Sequence, residues 1–403
     1  MKVTGAQYLS IHTDVKNANM DALFHYLSFG QAEGRQVDIP EPPQLPPDWN
    51  WQVYLAAYKD LRDAGLTTQA QAEQHYLANG YKENRWPVPG QGWKPPTSQG
   101  LHLILDIPGS QRPLFTGMRF DKGLLIGDYG GHLDGGKIQY WDGNTLTLER
   151  HFTNPKAESV FHLIAANDGT PICSLELHGM MSRREGGSWP LTFSSSVMED
   201  LAFGIFRSGG SLYCLICTGG KPDGVMVMSG DDGRSWQSVY NYSGVSPQGC
   251  ANSDGSRILL TGAQDNRPVI RDVHSNIITS RDDLVGREYT QICGKDGRWN
   301  FTGNSWIDYW ENGTPQTVFN SDRFYAMWSE CDPVTDTRVV LFGAWKENTG
   351  HSQVAYSRDG GRPGTWDQFS VPCNCVLGSH FADGGVYLFG GDWGSGRVYF
   401  FKF

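Results

Sequence analysis

A short unit returns seven times along residues 100–403: a tight turn, a run of apolar residues, and usually a glycine where the run ends. The units begin at Asp121, Asp168, Ser208, Asp254, Asp296, Thr335 and Asp383, with separations of 47, 40, 46, 42, 39 and 48 residues. Asp-Gly and Gly-Gly turns between apolar runs mark β-hairpins, because these residues tolerate the positive φ of a tight loop. A hairpin unit of this size cannot bury both of its faces alone, and stacking against like neighbours in a ring is the arrangement that this period implies. The spacing therefore predicts a mainly β chain, a β-propeller of seven blades over residues 100–403. The fifth unit, around Trp299, is the least regular, so six blades with a long insertion is the alternative. Residues 101–107 and 397–403 both read as strands, and pairing them in one blade would close the ring and leave no exposed edge.

Residues 1–99 follow another pattern. Tyr8, Leu9, Asp14, Val15, His25, Tyr26, Leu27, Gly30, Glu33 and Arg35 recur as Tyr54, Leu55, Asp60, Leu61, His75, Tyr76, Leu77, Gly80, Glu83 and Arg85. This predicts a small all-α module made of a duplicated helical hairpin, each copy closing on a short helix that a glycine stops. The copies span 1–37 and 51–86, and the proline-rich stretches 38–50 and 87–99 act as semi-rigid spacers. The histidine, glutamate and arginine of each copy are expected to pin its ends rather than to catalyse.

Charge and composition narrow the function. Glycine (50 residues) and the aromatic residues (14 Trp, 17 Tyr, 19 Phe) favour strands and tight turns. A net charge of −10 makes nucleic acid an unexpected partner. No apolar run is long enough for membrane insertion, and the N-terminus lacks a secretory layout, so synthesis in the cytoplasm is expected. The eight cysteines all lie beyond residue 170 and are expected to be reduced. Cys214 and Cys217 sit three apart in a strand and face opposite ways, and Cys373 and Cys375 lack a second pair, so neither a metal nor another cofactor is expected.

A second motif is independent of the period. Ser229, Asp231, Gly233, Ser235 and Trp236 match the Asp-box, S-x-D-x-G-x-[ST]-W, at every defined position. Looser copies read Ser182, Arg184, Gly186, Ser188 and Trp189; Ser357, Asp359, Gly361, Thr365 and Trp366; and Ser280 and Asp282 leading to Tyr289. The last two align without gaps at an offset of 77, from His274/His351 to Gln291/Gln368. Residues 100–403 thus resemble the Asp-box (sialidase-like, BNR) β-propeller superfamily, which includes sialidases, assembly factors and sortilin-like receptors. The resemblance implies that the Asp-box is a folding device, in which Ser and Asp bond the backbone of the hairpin between third and fourth strands while Trp packs between blades. The His-Tyr-Leu unit of residues 1–86 resembles a short helical repeat of bacterial and phage proteins, which implies an accessory or attachment role.

The candidate ligand site is drawn from the loops that follow the second strands. Tyr129, Trp306, Trp345 and Trp393 stand at nearly the same place in four units, beside Asp128, Asn304, Asp392 and, in the fourth unit, Asp265 and Asn266. Aromatic faces stack on sugars or side chains, and adjacent carboxylates and amides take hydroxyls or amides. The competing reading is that these rings wedge between blades as core. A sialidase-like enzyme would need three convergent arginines, for which Arg112, Arg119, Arg207, Arg267 and Arg323 are available, but no catalytic residues are assigned. The favoured expectation is a non-catalytic recognition protein: the propeller binds a cell-surface glycan or protein receptor, and residues 1–86 attach it to a larger, oligomeric assembly such as a phage tail or virion. A sialidase-like glycoside hydrolase and an intracellular assembly factor are the alternatives.

Overall fold

The computed structural model describes residues 12–18, 51, 55, 61, 64–80, 94–108, 110, 113–128, 135–152, 159–175, 179–183, 187–194, 201–217, 224–242, 249–251, 257–264, 267–273, 278–281, 283, 289–311, 313–321, 326–343 and 350–403. The chain separates into two compact units, Met1–Gly92 and Trp93–Phe403.

In the first unit, helix α1 (Thr13–Asn17) buries Val15. Helix α2 (Gln69–His75) starts on a capping box, in which the Thr68 hydroxyl accepts from Gln71 N–H and the Gln71 side chain accepts from Thr68 N–H. It runs on into a π turn, Tyr76–Gly80. Leu55, Leu61 and Ala72 form its small core, with Trp51, Leu66 and Tyr76 packed on it. The Asp-Val step at 14–15 and the Asp-Leu step at 60–61 each bury their aliphatic residue. Residues 1–11 and 19–50, which hold the rest of the first copy and the first spacer, lie outside the described residues, as do Tyr54, Asp60, Glu83 and Arg85 of the second copy.

The second unit contains seven four-stranded antiparallel sheets. Blades 1 to 6 are consecutive in sequence: 114–151, 160–193, 201–242, 249–280, 291–320 and 326–371. Blade 7 is built from both ends of the unit. Its first three strands are Cys375–Ala382, Gly385–Asp392 and Ser395–Lys402, and its fourth is Gly100–Pro108, which pairs from Gly100 opposite Lys402 to Pro108 opposite Ser395. The first strand of each blade packs beside those of the blades before and after it, and that of blade 7 packs beside that of blade 1. The result is a closed propeller, with the closure expected from the two terminal strands.

Six of the seven predicted turns lie among the described residues and each joins the first to the second strand of a blade; the turn at Asp254 lies outside them. Both turn residues have positive φ at Gly209-Gly210 (54° and 80°), Asp296-Gly297 (50° and 87°) and Asp383-Gly384 (55° and 69°), the geometry of a two-residue type I′ hairpin. The second strands that follow are buried on both faces, and their alternate residues serve two different seams. Leu124 and Ile126 pack against blade 7, whereas Leu125 packs against blade 2. Val340 and Phe342 face blade 5, whereas Val339 and Leu341 face blade 7. Seven apolar clusters occur in this unit, one at each junction between neighbouring blades. Burial at these junctions, at about 25 cal/mol per Å² of apolar surface, is what makes thin sheets stable as a ring. Close approach sets one residue in the inner ring: a Cβ on Gly378 would lie 2.4 Å from the Phe115 carbonyl oxygen of the next blade.

Two buried polar networks tie blades 4, 5 and 6 together. Arg281 donates to Asp308 (2.8 Å), which is fully buried and also accepts from Tyr289 (2.5 Å) and Thr317 (2.7 Å). Arg338, likewise fully buried, donates to Asn300 (2.5 Å) and Asp336, while Asn300 donates to the Gly361 carbonyl (3.1 Å). Such charges are tolerated only because each finds a partner of opposite sign and further hydrogen bonds.

Candidate functional site

Four-stranded antiparallel blades place their connections by simple alternation. Links from second to third strand and from fourth strand to the next blade open on one face of the ring; the others open on the opposite face. The predicted ligand residues all belong to second-to-third links, hence to one face. Tyr129, Trp345, Asp265 and Asn266 lie outside the described residues.

Of the remainder, Trp393 is 55% exposed at the tip of the hairpin between the second and third strands of blade 7. The carboxylate of Asp392 beside it accepts from Asn374 N–H (2.8 Å) and from Arg397 Nη1 (2.7 Å). Arg397 also donates to the Pro372 carbonyl (3.0 Å) and pairs with Asp106 (3.5 Å), which accepts from the Ser395 hydroxyl (2.7 Å). Strand ends from both termini of the propeller thus hold the indole on a braced hairpin. Asp128 accepts from Lys137 N–H (2.5 Å) and closes the equivalent link of blade 1.

Trp306 is a correction to the platform. It is 4% exposed, packs with Tyr289 and Phe301 in the junction of blades 4 and 5, and lies so close over Gly303 that a Cβ there would meet its ring at 2.0 Å. Its ring begins the third strand, Trp306–Trp310, so strand alternation turns it into the seam. Trp306 is core, the competing reading of this position.

The Asp-box residues divide in the same way. Ser229 Oγ accepts from Gly233 N–H (2.9 Å) and donates to Asp231 (2.8 Å), and Asp231 accepts from Ser235 N–H (2.9 Å) and Oγ–H (2.6 Å). Burial works against the charge of Asp231, yet the Ser235 and Ser229 hydroxyls and the Ser235 and Arg234 N–H groups bring its pKa down to about 2. Trp236 follows, donating to Thr192 of the preceding blade (3.3 Å). In blade 6, Ser357 Oγ accepts from Gly361 N–H (3.1 Å), and Trp366 donates to the Gly361 carbonyl (3.0 Å). Asp359, however, pairs with Arg362 (3.2 Å) rather than with its hairpin backbone. Ser280 is a second correction. It ends the fourth strand of blade 4, Ile278–Ser280, while Ser357 ends the third strand of blade 6, Ser352–Ser357. The 77-residue frame therefore aligns different strands. Tyr289 in that frame is a buried partner of Asp308, and Asp282 lies outside the described residues.

The two described arginines of the hydrolase reading sit on the first-to-second face. Arg119 pairs with Asp383 (2.8 Å) and donates to the Gly123 carbonyl (2.7 Å); Arg207 donates to Asn167 (2.8 Å). Arg112, Arg323 and the Arg267 side chain are outside the described residues. Cys214, Cys373 and Cys375 are buried thiols outside any disulfide, and burial pushes the last two up to about 12 and 11. Among the described residues no group of three or more His, Cys, Asp or Glu side chains is placed to hold a metal.

Sequence reasoning missed the centre of the ring. Trp328, on the first strand of blade 6, packs its indole on the imidazole of His162, on the first strand of blade 2 (ring centroids 4.8 Å apart). A Cβ on Gly204, in blade 3, would lie 3.3 Å from Trp328 Cη2. Blades 2 and 3 are not neighbours of blade 6 in the ring. These contacts therefore cross the axis, and Trp328 bridges the channel. His162 Nδ1 accepts from Ile205 N–H (3.0 Å), which fixes the proton on Nε2. Glu330, two residues beyond Trp328, accepts from the Ser379 hydroxyl (2.6 Å). Burial pushes the Glu330 carboxyl up to about 8, and burial, with repulsion from His380, pushes His162 down to about 3. His380 in blade 7 is pushed down to about 4, again chiefly by burial. Polar residues in otherwise apolar first strands, VFHLIA, AMWSEC and CVLGSHFA, were the available signal.

No family model matches the chain, and no curated protein matches it in sequence. Solved structures share its fold. A chain of the mitotic checkpoint complex is 10% identical with a TM-score of 0.55, over 79% of this chain and 98% of that one. YCF48 bound to D1 peptide is 13% identical with a TM-score of 0.52, over 77% and 99%. The extracellular domain of the putative one component system BT4673 from B. thetaiotaomicron is 8% identical with a TM-score of 0.52, over 75% and 40%. These likenesses establish the β-propeller and nothing finer.

Proposed function

We propose that this chain is a non-catalytic recognition protein whose propeller engages a protein partner through the second-to-third face, centred on Trp393. The observation that carries the reading is the exposed indole on a hairpin that Asp392, Arg397, Asp106 and Asn374 brace from three chain segments. A large aromatic held rigidly in solvent binds at little entropic cost, which is the physical character of an interface anchor. Two structural neighbours, the mitotic checkpoint complex chain and YCF48 with its D1 peptide, are themselves seen with protein partners, which favours a protein over a glycan. The Ser229–Trp236 hydrogen bonding supports kinship with the Asp-box propellers, where this hairpin serves folding. Arg119 and Arg207 are committed to Asp383 and Asn167, which weakens the hydrolase alternative. Residues 1–86 serve as the attachment module to a larger assembly, a virion being the case that the sequence resemblance favours.

Peptide and glycan arrays probed with the full chain test this reading. Binding to peptide spots that Trp393→Ala removes without lowering the melting temperature supports it; full retention by Trp393→Ala, or binding confined to glycan spots, contradicts it.

A further inference from the structure

The Trp393 hairpin turns on two residues, Trp393 and Gly394, between the paired Asp392 and Ser395. Beside it lies the fourth strand of blade 7, with Pro108 opposite Ser395 and Asp106 opposite Arg397. Strand register therefore brings two carboxylates, Asp392 and Asp106, to the base of the exposed indole, with Arg397 against both.

Arg397 does not balance the pair. Its Nη1 donates to Asp392 (2.7 Å) and to the Pro372 carbonyl (3.0 Å), while the other oxygen of Asp392 accepts from Asn374 N–H (2.8 Å), so Asp392 is engaged on both oxygens. Asp106 is held differently. One oxygen accepts from the Ser395 hydroxyl (2.7 Å), and the other stands 3.5 Å from Arg397 Nε, on a side chain 43% exposed. That separation exceeds the usual hydrogen-bond range of about 2.7–3.2 Å. Among the described residues one guanidinium thus faces two carboxylates, and the surplus negative charge rests on the exposed, loosely paired oxygen of Asp106.

An indole alone accepts any apolar side chain, whereas an indole beside a fixed carboxylate selects a cation. Neighbouring strands lie about 4.8 Å apart, and a cation is held over an indole within about 6 Å of the ring. A long basic side chain lying on Trp393 can therefore reach Asp106 across one strand. A planar guanidinium meets both demands, since it stacks flat on the ring and its fork of N–H groups donates to a carboxylate; an ammonium supplies only a point charge.

We infer that the partner segment recognised at Trp393 presents an arginine, stacked on the indole and paired with Asp106. This rests on the reading of the Trp393 face as a protein-binding surface and adds the chemistry of the partner. The net charge of −10 favours the approach of such a basic segment.

An array of random twelve-residue peptides probed with the full chain supplies binders, and each is resynthesised with its arginines replaced by citrulline, an uncharged analogue of similar shape, or by lysine. Dissociation constants are read by fluorescence anisotropy. Citrulline is expected to weaken binding at least about tenfold and lysine about threefold. Asp106→Asn keeps an oxygen for the Ser395 hydroxyl, so it is expected to melt as wild type does, to cut the arginine-over-citrulline ratio at least about threefold, and to leave the citrulline affinity unchanged. Raising salt from about 0.05 M to 0.3 M is expected to weaken the arginine peptide and not the citrulline one. Equal binding of arginine and citrulline peptides, with both lost in Trp393→Ala, overturns the inference and leaves the protein-partner reading standing; absence of peptide binding by the wild-type chain overturns both. An undiminished arginine preference in Trp393→Ala or in folded Asp106→Asn would trace the attraction to the charge of the whole chain and would also overturn it.

Discussion

Phe400→Ala examines the seam that closes the ring. Phe400 sits in the third strand of blade 7, is fully buried, and packs 4.9 Å from the ring of Tyr387 in a cluster with Leu114, Leu124, Ile126 and Trp141 of blade 1. Its ring end lies so close to Gly385 that a Cβ there would meet it at 2.5 Å, so the site is tightly filled and cannot collapse easily. Truncation removes the transfer energy of the ring and leaves a cavity, together about 3–5 kcal/mol. Against a total stability of about 5–15 kcal/mol, that is a large share. Urea unfolding followed by near-UV circular dichroism reads it as a lower midpoint at unchanged slope. The slope matters because a ring welded at every seam unfolds as one body. A loss below about 1 kcal/mol, or an early separate transition while the rest of the propeller remains folded, would refute the reasoning.

Two further substitutions probe charge. Asp231→Asn removes a carboxylate held near pKa 2 by its hydrogen bonds. Its folded pKa is below the unfolded value, so it stabilises at neutral pH and loses this as pH falls towards 2; the variant is expected to melt lower at pH 7 and to lose less stability than wild type between about pH 4 and pH 2. Glu330→Gln tests the opposite sign, because the Glu330 carboxyl is pushed up to about 8. A raised carboxyl pKa gives stability that is present in acid and is lost as pH rises from about 4.5 through 8, so the variant is expected to show a flatter melting profile across that window. An identical profile for variant and wild type would contradict either argument.

The architecture was legible because turn chemistry is local. Asp383-Gly384 and Asp296-Gly297 announce positive φ by residue type, and the period of such turns counts the blades. Aromatic positions were less legible. Trp306 and Trp393 both follow a second strand and its glycine, yet Trp306 starts a third strand and turns into a seam, whereas Trp393 occupies a hairpin tip. The offset that paired Ser280 with Ser357 compared side chains without knowing strand order, so it matched a fourth strand to a third. The channel cluster was invisible for a different reason. His162, Gly204 and Trp328 are far apart in sequence and meet only because the ring closes.

Ring closure is tested most directly by hydrogen exchange at the paired amides of residues 100–108, in the full chain and after removal of residues 399–403. The pairing of Gly100–Pro108 with Ser395–Lys402 predicts that both segments are protected together, and that the deletion exposes residues 100–108 and ends cooperative unfolding of the propeller. Protection of residues 100–108 that survives the deletion would contradict a ring held shut by its own two ends.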